Sequence, residues 1–388
     1  RKVYLDYSAT TPVKEEVLKE MIPYFTEKFG NPSSLYDIGL ESKEAVTHAR
    51  EQVAALINAK PQEIYFTAGG TEADNWAVFG TVEKLKSKGN HIITTKIEHH
   101  AMLHSCAFLE KEGCQITYLD IDQEGRIDLK QLEDAITDKT VLISIMLVNN
   151  EIGTIQPVKE AAAIAKKHGI LFHTDAVQGL GNVPIDVKDM GVDMMSVSSH
   201  KIYGPKGSGA LYIRKGVNIA NYMHGGGQES RKRAGTENLA GIIGFGKAAE
   251  LARINFESHV KHCTKLRDYL KDRILSEIPD TFINGTMEGR HPGNLNITFK
   301  YIEGESILLL LNQYGISVST GSACSSASLE PSHVLTALGV PVEMIHGTVR
   351  FTVGDFTTKE DIDYVVDHLK TIVEKLREIS SVNSKKGW

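Results

Sequence analysis

Short apolar runs alternate with helical patterns between residues 63 and 213. Apolar runs of strand length cover 63–67, 91–95, 116–119, 141–148, 170–174, 194–197 and 209–213. Between two of these runs, segment 158–167 places Ala161, Ile164 and Ala165 at helical spacing. Because strands that alternate with helices are joined by crossover connections, the pattern predicts an open α/β fold with a mainly parallel sheet.

The pattern changes after about residue 255. A long polar helix comes first, and strands near 294–299, 316–320 and 349–351 and a helix over about 358–379 follow it. This order predicts a second, smaller α+β domain. Ahead of the first strand, segment 44–59 carries Val46, Ala49 and Val53 at three- and four-residue spacings, which predicts an amphipathic helix packed on the core.

Composition and charge narrow the class of protein. A chain of 388 residues with 41% hydrophobic and 24% charged residues is typical of a globular protein with two domains. The 43 lysines and arginines are outnumbered by 49 acidic residues, and the net charge of −6 gives no overall attraction to nucleic acid or anionic membranes. No apolar run approaches the ~20 residues of a spanning helix. Residues 1–5 lack the apolar run of a secretory signal, so we expect a cytoplasmic protein.

The four cysteines form no closely spaced pair that would indicate a zinc or redox motif, and we expect free thiols. Cys106 and Cys114 lie in segments typical of packed structure, and Cys263 lies on a polar helix. Cys324 differs, because the small residues of 319–328 cannot form a core and predict an accessible loop. Its thiol is a candidate nucleophile, although no activating neighbour is visible and an unreactive loop thiol is the alternative.

Lys201 follows an apolar strand, at the end where α/β sheets usually bind ligands. A lysine that forms a Schiff base needs an unprotonated amine, which burial and nearby positive charge supply. Lys201 is therefore a candidate covalent residue. A solvated lysine before an ordinary glycine-rich turn, 204–209, is the alternative, and the turn is not a P-loop because it lacks the G-K-[ST] ending.

Two further strand ends carry candidate cofactor contacts. Asp175 closes the apolar strand before it, where a carboxylate can hold a pyridinium nitrogen protonated or simply cap a helix. Gly69 and Gly70 precede Thr71 at the start of a predicted helix, which favours a phosphate site. The same residues also fit a capping box from Thr71 to Asp74.

Histidines follow the strand at 91–95. His99 is placed to stack on a flat cofactor. His100 and His104 are four residues apart near Cys106 and suggest zinc, but no fourth ligand supports a metal site and we expect none.

Taken together, these segments resemble the class V branch of the fold-type-I pyridoxal-phosphate enzymes, and within it the cysteine desulfurases of the NifS and IscS type. The resemblance covers almost the whole chain. It includes YLDYSATTP at 4–12, GNPSS at 30–34, the threonine and glutamate at 71–72, NNEIGT at 149–154, DAVQ at 175–178, SSHK at 198–201, GGGQE at 225–229, RAGT at 233–236 and the extended cysteine segment ending in SACSSASLEPSH at 322–333.

The resemblance implies a fold-type-I, aminotransferase-like architecture. The large cofactor-binding domain would span 15–255, with its mainly parallel sheet. The small α+β domain would combine 1–14 with 256–388 and carry a mobile cysteine loop at about 320–332. No catalytic position departs from the family's pattern.

The resemblance also assigns roles to single residues. Lys201 would hold pyridoxal 5'-phosphate covalently, and Cys324 would receive the sulfur. The remaining assignments are Asp175 to the ring nitrogen, His99 to ring stacking and proton transfer, Gln178 and Asn150 to the phenolic oxygen and adjacent substrate region, Thr71, Ser198 and His200 to the phosphate, Thr236 to the phosphate of the neighbouring subunit, and Asn31 and Arg350 to the substrate carboxylate. For Arg350 the guanidinium fork matches a carboxylate in a way that lysine does not.

The implied reaction converts L-cysteine into L-alanine and a persulfide on Cys324. The implied partners are a second copy of the chain and a sulfur-acceptor protein, in iron–sulfur cluster assembly or tRNA thiolation. Selenocysteine lyase, another class V enzyme and a non-catalytic sulfur-transfer scaffold are the alternatives. Cys324 disfavours transamination, which needs no thiol nucleophile. The scaffold is disfavoured by the joint presence of Lys201, Asp175, His99, Cys324 and Arg350.

Overall fold

The computed structural model describes residues 1–320 and 330–380. The strands are β1 (Val3–Tyr4), β2 (Ile64–Thr67), β3 (His91–Thr95), β4 (Gln115–Leu119), β5 (Thr140–Ser144), β6 (Leu171–Asp175), β7 (Met194–Ser198), β8 (Gly209–Ile213), β9 (Thr281–Ile283), β10 (Asn294–Phe299), β11 (Ile316–Ser317) and β12 (Thr348–Thr352). The helices are α1 (Glu15–Met21), α2 (Pro23–Thr26), α3 (Asp37–Leu56), α4 (Gly70–Leu85), α5 (His100–Lys111), α6 (Leu129–Asp134), α7 (Val158–Lys167), α8 (Val187–Met190), α9 (Leu239–Ile254), α10 (Phe256–Glu277), α11 (Gly304–Gln313), α12 (His333–Ala337), α13 (Val342–Ile345) and α14 (Lys359–Ile379).

A seven-stranded sheet in the order β2-β8-β7-β6-β5-β3-β4 forms the centre of the molecule. The strands from β7 to β4 are parallel to one another, as the alternating pattern predicted. β8 is antiparallel to both β7 and β2. The ten residues between β7 and β8 are too few for a crossover helix, so the chain returns in the opposite direction. The prediction of a mainly parallel α/β sheet is confirmed.

Helices cover the sheet and bury its strands, and all five residues of β3 are buried. The predicted helix at 44–59 is α3, which begins earlier, at Asp37, and buries Val46, Ala49 and Val53. The predicted strand at 141–148 ends at Ser144 as β5. Residues 145–148 are also buried, and an apolar run therefore did not reveal where the ladder stops.

A second hydrophobic core lies around a three-stranded antiparallel sheet in the order β12-β10-β9. Apolar residues of α10, α11 and α14 join it, and so do Val3 and Leu5 from the start of the chain. β1 brings them there by pairing with β11, with Val3 opposite Ile316. The division into 15–255 and 1–14 with 256–388 stays a prediction, which this distribution of apolar residues favours. Among the described helices, none is both long and apolar enough to cross a membrane.

Candidate active site

A cavity of about 200 Å³ opens at the carboxyl edge of the central sheet. Several strands end there, and the segments that follow β2, β3, β5, β6 and β7 all contribute walls, as expected where parallel strands end together. The residues that line the cavity are Ala9, Gly70, Thr71, Asp74, His99, Met146, Asn150, Asp175, Val177, Gln178, Ser198, His200 and Lys201.

Lys201 ends a single 3₁₀ turn, Ser199–Lys201, directly after β7. Its Nζ donates hydrogen bonds to the carbonyl oxygen of Ala9, at 2.9 Å, and to that of Ser8. Thr11 fixes the same N-terminal segment on this turn by donating to the carbonyl oxygen of His200 at 2.9 Å. The residues at 8–11 therefore hold the lysine amine at the cavity.

Asp175 is the last residue of β6, and its carboxylate accepts a hydrogen bond of 2.9 Å from the backbone N–H of Val177. Burial raises the pKa of Asp175, while the nearby His99 and Lys201 act in the opposite direction. A cation at this point in the cavity would lower the cost of the buried charge. The protonated ring nitrogen of a pyridine cofactor is such a cation.

His99 is the N-cap of α5, and its Nδ1 accepts a hydrogen bond of 3.1 Å from the backbone N–H of Ala101. An accepting Nδ1 places the proton of the neutral ring on Nε2. Burial is the largest influence and lowers the pKa of His99, and the charge of Lys201 lowers it further, against the effect of Asp175. The ring is therefore neutral near neutral pH and presents an uncharged flat face.

A wider pocket adjoins the cavity at the N-terminus of α4 and shares Gly70, Thr71, Ser198 and His200 with it. Lys206 also lines this pocket. The backbone N–H groups at the start of a 16-residue helix attract anions, and hydroxyls and a lysine add donors. Burial, with the charges of Lys201 and Lys206, lowers the pKa of His200 to about 4, so its ring is neutral. The pocket suits a phosphate group.

The turn before α4 departs from the predicted capping box. The N-cap is Gly69, and no side chain caps the helix there. Glu72 instead accepts from the backbone N–H of Ala68 at 2.8 Å and pairs with Arg233. Asp74 is buried and lines the cavity, so the capping interpretation of Thr71 and Asp74 is wrong.

Gln178 and Asn150 also line the cavity. The Gln178 amide donates to the carbonyl oxygen of Ser8 at 2.9 Å. The carbonyl oxygen of Asn150 accepts from Arg350 at 2.9 Å. Arg350 lies on β12 and is buried, and it also donates to Asp6 at 2.8 Å. The guanidinium thus borders the cavity wall, although Arg350 is not one of the lining residues.

The structure brings together Thr71, His99, Asn150, Asp175, Gln178, Ser198, His200 and Lys201 of the predicted site. Asn31 and Thr236 are exposed and do not line the described cavity. Cys324 lies outside the described residues. The three described cysteines are free thiols, and burial raises the pKa of both Cys106 and Cys263 to about 12, which makes them poor nucleophiles.

Four residues that line the cavity were not predicted from the sequence as site residues. Asp74 was interpreted only as a helix cap, and Ala9, Met146 and Val177 had no chemical signal of their own. A buried acid one helical turn after Thr71 could have been found from its apolar neighbours Ala73, Trp76 and Ala77, which predict a buried helix face.

Comparison with known proteins agrees with this geometry. The family model described as aminotransferase class-V matches residues 3–365. A protein named cysteine desulfurase IscS from Dictyoglomus turgidum is 56% identical over 388 residues, which is 100% of this chain and 98% of the relative.

Solved structures are similar over nearly the same length. A NifS-like protein matches with a TM-score of 0.92 and 38% identity, covering 97% of this chain and 100% of its own. SspA, which was solved in complex with cysteine, matches with a TM-score of 0.81 and 36% identity, covering 92% of this chain and 100% of its own.

Proposed function

The chain belongs to the aminotransferase class V family and is a cysteine desulfurase of the IscS and NifS type, and on this premise we propose that it holds pyridoxal phosphate at Lys201 and leaves the sulfur of L-cysteine on Cys324. The observation that carries the proposal is the single cavity lined by Lys201, Asp175 and His99. L-Cysteine as substrate is supported by SspA, a structural relative solved with cysteine.

The cavity and the adjoining pocket fit the parts of pyridoxal phosphate. Lys201 would hold it covalently, the buried Asp175 would face its ring nitrogen, and His99 would stack on its ring. Thr71, Ser198 and His200 would bind its phosphate at the N-terminus of α4. When bound, pyridoxal phosphate supplies a ring that withdraws electrons from the α-carbon of an amino acid.

Lys201 and His99 would move the protons. The Lys201 amine, held at the carbonyl oxygens of Ser8 and Ala9, is placed to take the proton from the α-carbon of the substrate. His99 has the neutral ring that an acid/base group needs near neutral pH. Gln178 and Asn150 would hold the phenolic oxygen and the neighbouring part of the substrate.

Arg350 and Asn31 would hold the substrate carboxylate. The planar guanidinium of Arg350 donates parallel hydrogen bonds to a carboxylate, and its present contacts with Asp6 and Asn150 fix its position. Asn31 is exposed, and its amide oxygen accepts from the backbone N–H of Ser33 at 2.9 Å. The Asn31 amide nitrogen would be the donor to the substrate.

Two anchors favour Cys324 as the sulfur acceptor. Before it, Ser319 exchanges backbone hydrogen bonds with Arg350, of 3.2 Å and 2.6 Å. After it, Ser332 donates to the buried carboxylate of Glu151 at 2.5 Å, next to Asn150. The segment that carries Cys324 thus starts and ends beside the residues proposed to hold the substrate.

The sulfur step conserves atoms and electrons. The Cys324 thiolate attacks the substrate sulfur, a sulfur–sulfur bond forms, and the carbon–sulfur bond of the substrate breaks. The electron pair of that bond stays with the carbon, which takes up a proton and becomes the methyl group of alanine. Cys324 then holds a persulfide for an acceptor protein such as an iron–sulfur scaffold or a component of tRNA thiolation.

We propose that the working form is a homodimer. Large apolar side chains are exposed in one stretch of the chain, namely Leu18, Ile22, Phe25, Phe29, Leu35, Tyr36 and Leu40. Such a group favours a protein interface over free surface. Thr236, which is exposed in one chain, would reach the phosphate pocket of the partner subunit.

Alanine release tests the proposed function. The protein loaded with pyridoxal phosphate is incubated with L-cysteine and a reductant, and alanine and sulfide are measured together. Equal amounts of both support the proposal. Background amounts from fully loaded protein would contradict it, and a strong preference for selenocysteine would favour selenocysteine lyase.

A further inference from the structure

Two acidic side chains meet at the cavity although the reaction proposed above uses only one of them. Asp74 lies on α4 and Asp175 ends β6, and their exposed fractions are 1% and 6%. Both line the same cavity, and the contact between their carboxyl groups raises the pKa of Asp74 and lowers that of Asp175. Two ionised carboxylates offer only acceptors, so a hydrogen bond between the two side chains requires a proton on one of them.

The surroundings of Asp175 favour its ionised form. The backbone N–H of Val177 donates to it at 2.9 Å, and the positive charge of Lys201 lies near it. These contacts offset part of the cost of burying a negative charge. Asp175 is therefore the member of the pair that can hold the charge.

The surroundings of Asp74 favour its protonated form. Among residues 1–320 and 330–380, its Oδ1 has no hydrogen-bond partner, and the nearest basic atom is Nε2 of His173 at 3.7 Å. The Nδ1 of His173 forms a hydrogen bond of 2.8 Å with the hydroxyl of Ser144, and its Nε2 forms one of 2.9 Å with the hydroxyl of Ser196. Burial lowers the pKa of His173 to about 3, so this ring is neutral and gives Asp74 no positive charge.

The charges of other acids near the pair also favour the protonated form of Asp74. Burial comes first among the causes that raise the pKa of Asp74 well above its usual range, and the charges of Asp175 and Glu98 add to it, while a hydrogen bond with Ser196 opposes it. Burial also raises the pKa of Glu98 to about 8. With Asp74 and Glu98 protonated, Asp175 is the ionised member of these three acids.

We propose that Asp74 is a protonated positioning residue that donates its hydrogen bond to the ionised carboxylate of Asp175. The inference rests on the proposed function, because its use is to fix the Asp175 carboxylate for the ring nitrogen of pyridoxal phosphate. Asp74 keeps the pair at a single negative charge and holds the Asp175 carboxylate in one orientation. It does so without contacting the substrate.

Infrared spectroscopy tests the shared proton without any measurement of activity. Protein labelled with carbon-13 in the aspartate carboxyl groups is compared with unlabelled protein at neutral pH. We expect an isotope-sensitive carbonyl band of a protonated aspartic acid, and we expect it to be absent from Asp74→Asn. The absence of such a band from the wild-type protein, or its persistence in Asp74→Asn, would overturn the proposal.

Cofactor affinity tests the positioning role. The Asp74→Asn amide can still donate to Asp175, and Asp74→Ala cannot. Loss of a hydrogen bond to a charged group lowers affinity by about tenfold or more. We therefore expect Asp74→Ala to bind pyridoxal phosphate at least ~10-fold more weakly than wild type. The affinity of Asp74→Asn should remain within about threefold of wild type. Equal weakening in both variants, or no weakening in Asp74→Ala, would contradict a donor role. Circular dichroism checks that each variant is folded.

The two tests separate this inference from the proposed function. If wild-type protein failed to bind pyridoxal phosphate while the aspartic acid band behaved as expected, the proposed function would fail and the shared proton would stand. If wild-type protein bound the cofactor and released alanine without the band, only the inference about Asp74 would fail.

Discussion

Arg350 donates a hydrogen bond of 2.8 Å to the carboxylate of Asp6, a residue 344 positions away in the chain. The same guanidinium donates to the carbonyl oxygen of Asn150 at 2.9 Å. Asp6 belongs to the segment that continues into Ser8 and Ala9, which bind the Lys201 amine. The proposed carboxylate-binding group and the proposed catalytic lysine are thus held by one short stretch of the N-terminal chain.

Replacing Arg350 with lysine tests the proposed carboxylate contact. Lysine keeps the charge but loses the fork, so we expect Arg350→Lys to raise the KM for L-cysteine about 10- to 100-fold and to change kcat less. Arg377→Lys is the control, because within residues 1–320 and 330–380 the Arg377 guanidinium donates to the backbone carbonyl oxygens of Lys300, Pro279 and Asp280. A KM in Arg350→Lys within twofold of wild type would remove Arg350 from the substrate site.

Lys201→Ala tests the proposed covalent contact with the cofactor. We expect the visible absorption band of the bound cofactor to be lost and alanine formation to fall by roughly 10²- to 10⁴-fold, because the variant also lacks the proton acceptor. Lys215→Ala changes an exposed lysine after β8 and serves as control. A Lys201→Ala protein that keeps both the band and the turnover would contradict the assignment.

Glu98→Gln tests the pKa of a fully buried acid. Burial raises the pKa of Glu98 to about 8, against hydrogen bonds from Met146 and Thr95. In the unfolded chain Glu98 loses its proton near pH ~4, whereas in the folded chain it keeps the proton up to about pH 8. The contribution of protonated Glu98 to the free energy of unfolding is therefore fully present below pH ~4 and is lost as the pH rises towards 8. Glutamine does not titrate. The free energy of unfolding of Glu98→Gln minus that of wild type should therefore increase by about 1.4 kcal/mol per pH unit in this window.

Urea unfolding of both proteins at about pH 5 and about pH 7 measures this difference. Glu16→Gln, which changes an exposed acid on α1, should follow the wild-type pH dependence. If the difference between Glu98→Gln and wild type were the same at both pH values, Glu98 would be ionised throughout the window.

Leu35→Asp tests the proposed dimer. Leu35 is 89% exposed in the single chain, and a carboxylate there would have to be buried without a partner in an interface. We expect sedimentation to show a dimer for wild type and a monomer for Leu35→Asp, with weaker binding of pyridoxal phosphate in the monomer. Leu309→Asp, at a leucine that is 68% exposed on α11, should stay dimeric. A monomeric wild type would overturn the proposal.

The strands and several cavity residues were predictable where a local pattern marks them. β3, β8, β10 and α7 have the predicted bounds, because an apolar run or a helical period marks each one. Lys201, Asp175 and His99 follow apolar strands and carry the family's motif, and the cavity contains all three.

Other features depend on contacts distant in sequence and left no local signal. The end of β5 depends on where the ladder to β6 stops, after Ser144. Residues 145–148 beyond that point are buried like the residues before it, so burial does not mark the end of the strand. Asp74 is defined by sharing the cavity with Asp175, which lies 101 positions further along the chain. Asn31 and Thr236 do not line the described cavity, and the roles proposed for them stay predictions.

The destination of the sulfur is the central point to measure. Wild-type protein loaded with pyridoxal phosphate is incubated with a limiting amount of L-cysteine without reductant. Thiols are then alkylated, and the mass of each cysteine-containing peptide is measured by mass spectrometry. We predict one additional sulfur on the Cys324 peptide and none on the peptides of Cys106, Cys114 and Cys263, with Cys324→Ser forming almost no alanine. An additional sulfur on another cysteine, or undiminished alanine formation by Cys324→Ser, would contradict the account.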